Sequence, residues 1–317
     1  NEPAVLADTI GTQPSGSGTA EAPYQITSAA ELIWLRDAVN TGKANTCAEL
    51  QQDVTHVDEI WTSIGTSDHP YTGTFNGNGH TIFGLNAIVD PNTTAAVGAA
   101  LFGHVYGGTI KNLTVDGSVT VIGKQIGCNV GGIVGSMAIE YDFDPEDDLI
   151  QEGDRSLDFR YQTKAVVDSC INTGAITGKQ DYAGGIVGLM DLGRVGNCEN
   201  YGTVSSSNGD YVGGIAGASW GSIRDSWSKC RLSGGDYVGG VAGLGATLVN
   251  CHTLVTIDEG FAYLGAVAGD ADSGGTVSGN TFTSESLGAL DGISYAGKAE
   301  PVDFDTLCST EGVPELF

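Results

Sequence analysis

Apolar and polar residues alternate in short runs along this chain, and the runs recur in a fixed order. The most regular element is Gly-Gly, an aliphatic residue, a small or aliphatic residue and Gly. It appears as Gly131-Gly132-Ile133-Val134-Gly135, Gly184-Gly185-Ile186-Val187-Gly188, Gly213-Gly214-Ile215-Ala216-Gly217 and Gly239-Gly240-Val241-Ala242-Gly243. Degenerate copies are Ala99-Ala100-Leu101-Phe102-Gly103 and Gly265-Ala266-Val267-Ala268-Gly269. A second element follows the first degenerate copy and each regular one: an aliphatic residue, any residue, then Asn, Ser or Asp. It reads Ile110-Lys111-Asn112, Val167-Asp168-Ser169, Val195-Gly196-Asn197, Ile223-Arg224-Asp225 and Leu248-Val249-Asn250. Alternation over such short stretches predicts strands, and no segment of the repeat sustains a helical period. A repeat of roughly 25 to 29 residues marks a solenoid. The expected architecture is all-β: a right-handed parallel β-helix, three short strands to a coil, with equivalent residues stacked about 4.8 Å apart.

Stacking turns repeated positions into columns. Asn112, Ser169, Asn197, Asp225 and Asn250 form one, at a corner where Asn and Asp tolerate left-handed backbone and stacked amides can bond along the axis. Cys170, Cys198 and Cys251 share a column with Leu113 and Ser226, which reads as small buried hydrophobes. In-register side chains on adjacent coils suit disulfide geometry badly. A bridge involving Cys47, Cys128 or Cys308, outside that column, stays open. Tyr182, Tyr211, Tyr237 and Tyr263 precede their glycine pairs and form an outward stripe beside Asp181, Asp210 and Asp236. The stripe reads first as a ladder that stiffens the sheet. Its functional alternative is a row of ligand-binding side chains that holds sugar rings through apolar faces and hydroxyls.

The ends and one interruption depart from the rhythm. Tyr24-Gln25-Ile26 predicts a strand, and Ser28-Ala29-Ala30-Glu31 is a capping box. Leu32, Leu35 and Val39 then make an apolar helical face that stops at Gly42. Such a helix would cover the unpaired edge of the first coil. The expected division is a flexible leader over 1–18 and a single β-helix domain over 19–317. That domain comprises an N-terminal cap (19–60), coils (61–300) and a C-terminal cap (301–317) that uses Phe304, Leu307 and Leu316. An insertion over 137–163 carries Asp142, Asp144, Glu146 and Asp148. Carboxylates at alternate positions can hold Ca²⁺, although the spacing lacks the glycine and terminal Glu of an EF-hand loop. The competing reading is a solvated acidic loop; no other cofactor is expected.

Composition narrows the partners. The 49 glycines carry no Gly-X-Y period, which excludes collagen, and only 8 prolines argue against a disordered chain. A formal net charge of −26 repels phosphate backbones, so nucleic acid is not an expected partner. No apolar run is long enough to insert into a membrane. The segment Asn1–Gly18 has no signal-peptide pattern, as in a secreted or cell-surface chain whose signal peptide has been removed. A monomer is expected.

With these registers in place, the chain resembles the GLUG-motif repeat family of bacterial secreted and surface proteins. The residues that carry the likeness are Tyr211-Val212-Gly213-Gly214-Ile215-Ala216-Gly217 and its sister copies, with the following elements such as the one ending at Asn197-Cys198. The lead-in Gly73-Thr74-Phe75-Asn76-Gly77-Asn78-Gly79-His80-Thr81-Ile82 is also similar. The resemblance covers roughly residues 60 to 300. It implies a pectin-lyase-like β-helix in secreted or wall-attached proteins, often of gut bacteria, found in adhesin-like chains and beside immunoglobulin-A-cleaving metallopeptidase domains. It brings no catalytic residues. HExxH, GxSxG and zinc-spaced Cys/His patterns are absent. The expectation is therefore a chain that is not an enzyme: an adhesin-like module that binds glycan or host protein, or acts as a spacer. The alternative is a polysaccharide lyase or glycoside hydrolase built on the same scaffold.

Overall fold

The computed structural model describes residues 11–56, 60–89, 98–122, 128–137, 165–179, 182–207 and 209–317. Coil lies on coil with parallel pairing, in a large sheet of 23 strands and a second of 6. The chain is an all-β parallel solenoid. One coil shows the plan: Val212–Gly213, Ala216–Arg224, Trp227–Ser228 and Arg231–Ser233, after which Val238 pairs with Val212 to open the next turn. The coil thus has four strands where the sequence pattern suggested three. Left-handed residues at Tyr211 and Asp225 break its perimeter into shorter segments. Ile133, Ile186, Ile215, Val241 and Val267 are fully buried and stack through the interior. Each such side chain contributes roughly 1.5–3 kcal/mol relative to exposure.

The corner column is left-handed as its residue types suggest: φ is 52° at Asn112, 53° at Ser169, 51° at Asn197, 49° at Asp225 and 54° at Asn250. These side chains do not form a ladder of amides. Asn250 Nδ2 donates to Asp225 Oδ1 at 2.6 Å, but Asn197 reaches Asp168 and Asn112 reaches Asn76, both at 3.1 Å. The amide ladder lies further along the coil, inside the molecule. Asn172 Nδ2 donates to Asn200 Oδ1 at 2.8 Å, and each Asn also bonds both backbone groups of its own turn, at Gly174 and Gly202. Asn172, Asn200, Ser228 and Thr253 are in register and essentially inaccessible. The glycine pair makes room for this column. A Cβ at Gly185 would strike the Asn200 amide and the Gly214 carbonyl, and one at Gly214 would strike Ser228 Oγ and the Gly240 carbonyl. None of the glycines in the four regular clusters has a left-handed φ, so close approach is what requires them.

All seven cysteines are free. Cys170, Cys198 and Cys251 are fully buried in one column with Leu113 and Ser226. Cys128 and Cys230 are also buried, whereas Cys47 and Cys308 are half-buried, so no bridge forms among the three outlying thiols. Burial pushes Cys128 and Cys251 up to about 12 and Cys230 up to about 11, and holds Cys198 well above the usual thiol range.

Helix α1 (Ala29–Asn40) buries Leu32, Ile33, Leu35, Ala38 and Val39 over the first coil. Ser28 Oγ accepts from Glu31 N, while Glu31 accepts from the backbone and hydroxyl of Thr27. Residues 1–10 of the expected leader lie outside the described residues. Its remainder is tied down: Thr12 N donates to Ala30 O, and Gln25 N to Ser15 O. At the other end, Ala299–Pro301 pairs beneath Asn280–Phe282, and helix α2 (Phe304–Cys308) follows. Leu307 is buried there, but Phe304 and Leu316 are exposed. The last residues run back along the flank, where Phe317 packs edge-on to Trp227 at 4.8 Å and accepts from Lys229 Nζ. The expected apolar plug of Phe304, Leu307 and Leu316 is thus one buried leucine and a lateral strap.

Two outcomes test this interior. Asn200→Leu, which removes three hydrogen bonds and strands its partners, should destabilise the chain by about 2–4 kcal/mol in denaturant titration. Asn200→Leu at wild-type stability would show that the ladder contributes nothing. A thiol reagent should titrate only Cys47 and Cys308 in the native chain, and all seven after unfolding. Because the buried thiols keep protons that the unfolded chain releases, stability should be complete below pH ~8.5 and decline as pH rises toward about 12. Denaturation midpoints that stay constant through this window would contradict the assignment.

Candidate functional site: a tyrosine ladder and its acidic groove

Tyr182, Tyr211, Tyr237 and Tyr263 sit one per coil immediately before the short strands Ala183–Gly184, Val212–Gly213, Val238–Gly239 and Leu264–Gly265. All four are left-handed, with φ of 63°, 59°, 58° and 55°. A bulky residue there costs roughly 1–2 kcal/mol. The conformation carries axial backbone bonds: Tyr211 N donates to Asp236 O and Tyr237 N to Ala262 O, each at 3.0 Å. It also throws the ring outward onto its neighbour. Ring centroids are 5.2 Å apart for Tyr182 and Tyr211, 4.8 Å for Tyr211 and Tyr237, and 4.4 Å for Tyr237 and Tyr263, with interplanar angles of 19°, 11° and 0°. Each stacked pair is worth about 0.5–1.5 kcal/mol, so the two contacts of an interior ring such as Tyr237 are comparable with the strain at its own backbone. Contact with the flanking rings raises the Tyr237 phenol above its ordinary value, through lost hydration first, then the charges of Tyr263, Tyr211 and Asp270.

Stacking has a consequence for ligands. The inner faces of the four rings are covered by each other, so the stripe offers edges and hydroxyls rather than four open platforms. An open platform stands next to it. Phe261 is 87% exposed at the rim of a groove of about 740 Å³, lined by Ser207, Asp210, Asp236, Glu259 and the backbone of Gly234, Gly235 and Gly260. Asp210 is fixed by accepting from Asp236 N at 2.9 Å. Arg231 is held by a two-pronged ion pair to Asp258, and among the described residues the groove is lined by no Lys or Arg. Phe261 N donates to Gly235 O, and Gly235 N to Gly209 O, so Phe261 occupies a column held by glycine in the two preceding coils. Sequence reasoning missed it, although that column already carried the signal: Gly209, Gly235, then Phe261.

The carboxylates proposed for Ca²⁺, Asp142, Asp144, Glu146 and Asp148, lie outside the described residues. Among the described residues no group of three or more His, Cys, Asp or Glu is placed to hold a metal ion. Likewise, no helix among them is long and apolar enough to cross a membrane.

No family model matches the chain. A stretch of 131 residues, 38% of the chain, is 30% identical to halomucin of Haloquadratum walsbyi, and the match spans 1% of that protein's length. The solenoid superposes on a crystal structure from Bacteroides ovatus named as a candidate immunoglobulin A1 protease. The TM-score is 0.60 and the identity 20%, over 90% of this chain and 84% of that one. At that identity the likeness shows the fold alone. It nevertheless overturns the expectation that the chain is not an enzyme: its solved neighbour bears a protease's name, so catalysis stands among the functions open to this solenoid.

The balance between strain and stacking is measurable. Tyr237→Asn keeps a residue that accepts left-handed backbone but removes two ring contacts; it should lose about 1 kcal/mol, while Tyr237→Phe should stay within about 0.5 kcal/mol of wild type. Greater stability in the Asn variant would mean that stacking does not compensate the strain.

Proposed function

We propose that this chain is an adhesin-like solenoid, displayed outside the cell, that binds glycan chains along the face formed by the tyrosine ladder and the Phe261 groove. The observation that carries the reading is Phe261 itself, an 87% exposed ring beside the carboxylates of Asp210, Asp236 and Glu259. An aromatic face takes the C–H side of a pyranose, while Asp210, Asp236 and Glu259 accept from its hydroxyls, and ring edges and phenols at Tyr211, Tyr237 and Tyr263 extend the contact along the axis. The strongly acidic surface suits a neutral or cationic glycan over an acidic one. The glycine-cluster likeness to GLUG-motif proteins and the partial match to halomucin support an extracellular or surface setting. A second reading, cleavage of a bound glycoprotein, rests on the name of the Bacteroides ovatus structure.

A glycan array followed by calorimetry tests the first reading. Phe261→Ala should weaken the best glycan about tenfold, a loss of about 1.4 kcal/mol. An empty array, or equal affinity in the variant, would overturn it. Incubating the chain with immunoglobulin A1 and following fragments by mass spectrometry tests the second.

A further inference from the structure

The tyrosine ladder has a reactivity that carbohydrate binding does not use. Tyr237 and Tyr263 are parallel, with ring centroids 4.4 Å apart and an interplanar angle of 0°, so the two phenol rings lie face to face. Tyr211 continues the stack at 4.8 Å and 11°. Tyr263 is 38% exposed, open to an oxidant in solution. We propose that the ladder is a site of oxidative cross-linking, in which Tyr237 and Tyr263 couple into dityrosine and staple two successive coils. This goes beyond the carbohydrate reading and does not depend on it.

The chemistry needs an oxidant, which is hydrogen peroxide activated by a haem peroxidase. Each phenol gives up one electron to the oxidant and its proton to water, and leaves a phenoxyl radical with spin on the ring carbons beside the hydroxyl. One such carbon from each ring forms the new C–C bond. Each of those carbons then loses its hydrogen as a proton, and a proton returns to the phenolic oxygen, which restores both aromatic rings. The pair loses two hydrogens in all, and one peroxide becomes two waters. Radical carbons join through their faces, the direction in which these rings already meet. Neighbouring stacked phenols can share the oxidising equivalent along the column, so a radical formed at Tyr211 also finds a partner.

Exposure alone would predict a different pattern. Tyr295 is 40% exposed, as open as Tyr263, but it is not stacked on another tyrosine ring among the described residues. The full chain, treated with peroxidase and peroxide at low concentration, should gain dityrosine fluorescence while it stays a monomer on a denaturing gel. Peptide mapping should place the link between Tyr237 and Tyr263. Tyr263→Phe keeps the stacked ring and the fold, which circular dichroism checks, and should abolish that link and most of the fluorescence; Tyr295→Phe should change neither. Fluorescence that survives Tyr263→Phe unchanged, or links found only between chains or at Tyr295, would overturn the proposal.

Discussion

In-register parallel stacking is the constraint on which the rest of this molecule depends. When every coil repeats the path of the last, a side chain's axial neighbour is the equivalent residue one coil on, about 4.8 Å away. A column therefore holds only what can stand beside its own kind. Amides can, because each both donates and accepts, and Asn172 and Asn200 do so in a site closed to water. Thiols, small aliphatics and aromatic rings can as well. Like charges repel there, and the column Lys111, Asp168, Gly196, Arg224, Val249 never places two of one sign together, whereas Asp210 and Asp236 do stand on adjacent coils, where Asp236 N donates to the Asp210 carboxylate.

The same constraint inverts the usual division of labour between glycine and other residues. In the corner column and the tyrosine stripe, left-handed backbone, which glycine adopts most easily, falls on Asn, Asp, Ser and Tyr. The clustered glycines keep ordinary φ and are required for space, since a Cβ at Gly185 or Gly214 would collide with the interior polar column and the next coil's backbone. The two features are coupled. The interior column needs the glycine pair to come close, and the tight turn that brings it close begins at the strained tyrosine.

This coupling explains what could be read from the chain alone. Glycine clusters, the corner column and the buried cysteine column were legible because each is a one-residue signal repeated at fixed spacing. The interior ladder was not. Its members change identity from Asn172 and Asn200 to Ser228 and Thr253, and what they share is a hydrogen-bonding role and a place opposite a glycine. The C-terminal strap was hidden for another reason. Phe317 finds its partners on the flank, at positions distant in sequence, and no local pattern announces its contact with Trp227. The tyrosine stripe was legible as a column, but whether its faces were open or covered depended on backbone φ, which composition does not carry.

Function in such a scaffold should be sought where a column breaks its own rule. Identical neighbours cover one another, so a perfect ladder has little left to offer a ligand: the ring separations of the tyrosines shrink from 5.2 to 4.4 Å as their planes become parallel, and their inner faces close. Where Phe261 replaces the glycine of the coils before it, the ring has no aromatic neighbour in its column and stays 87% exposed. The same break opens a groove beside Asp210, Asp236 and Glu259. Regularity gives the solenoid its interior and its strength along the axis. The departure from regularity gives it a surface with unsatisfied apolar area and fixed acceptors side by side, which is the arrangement a binding site requires.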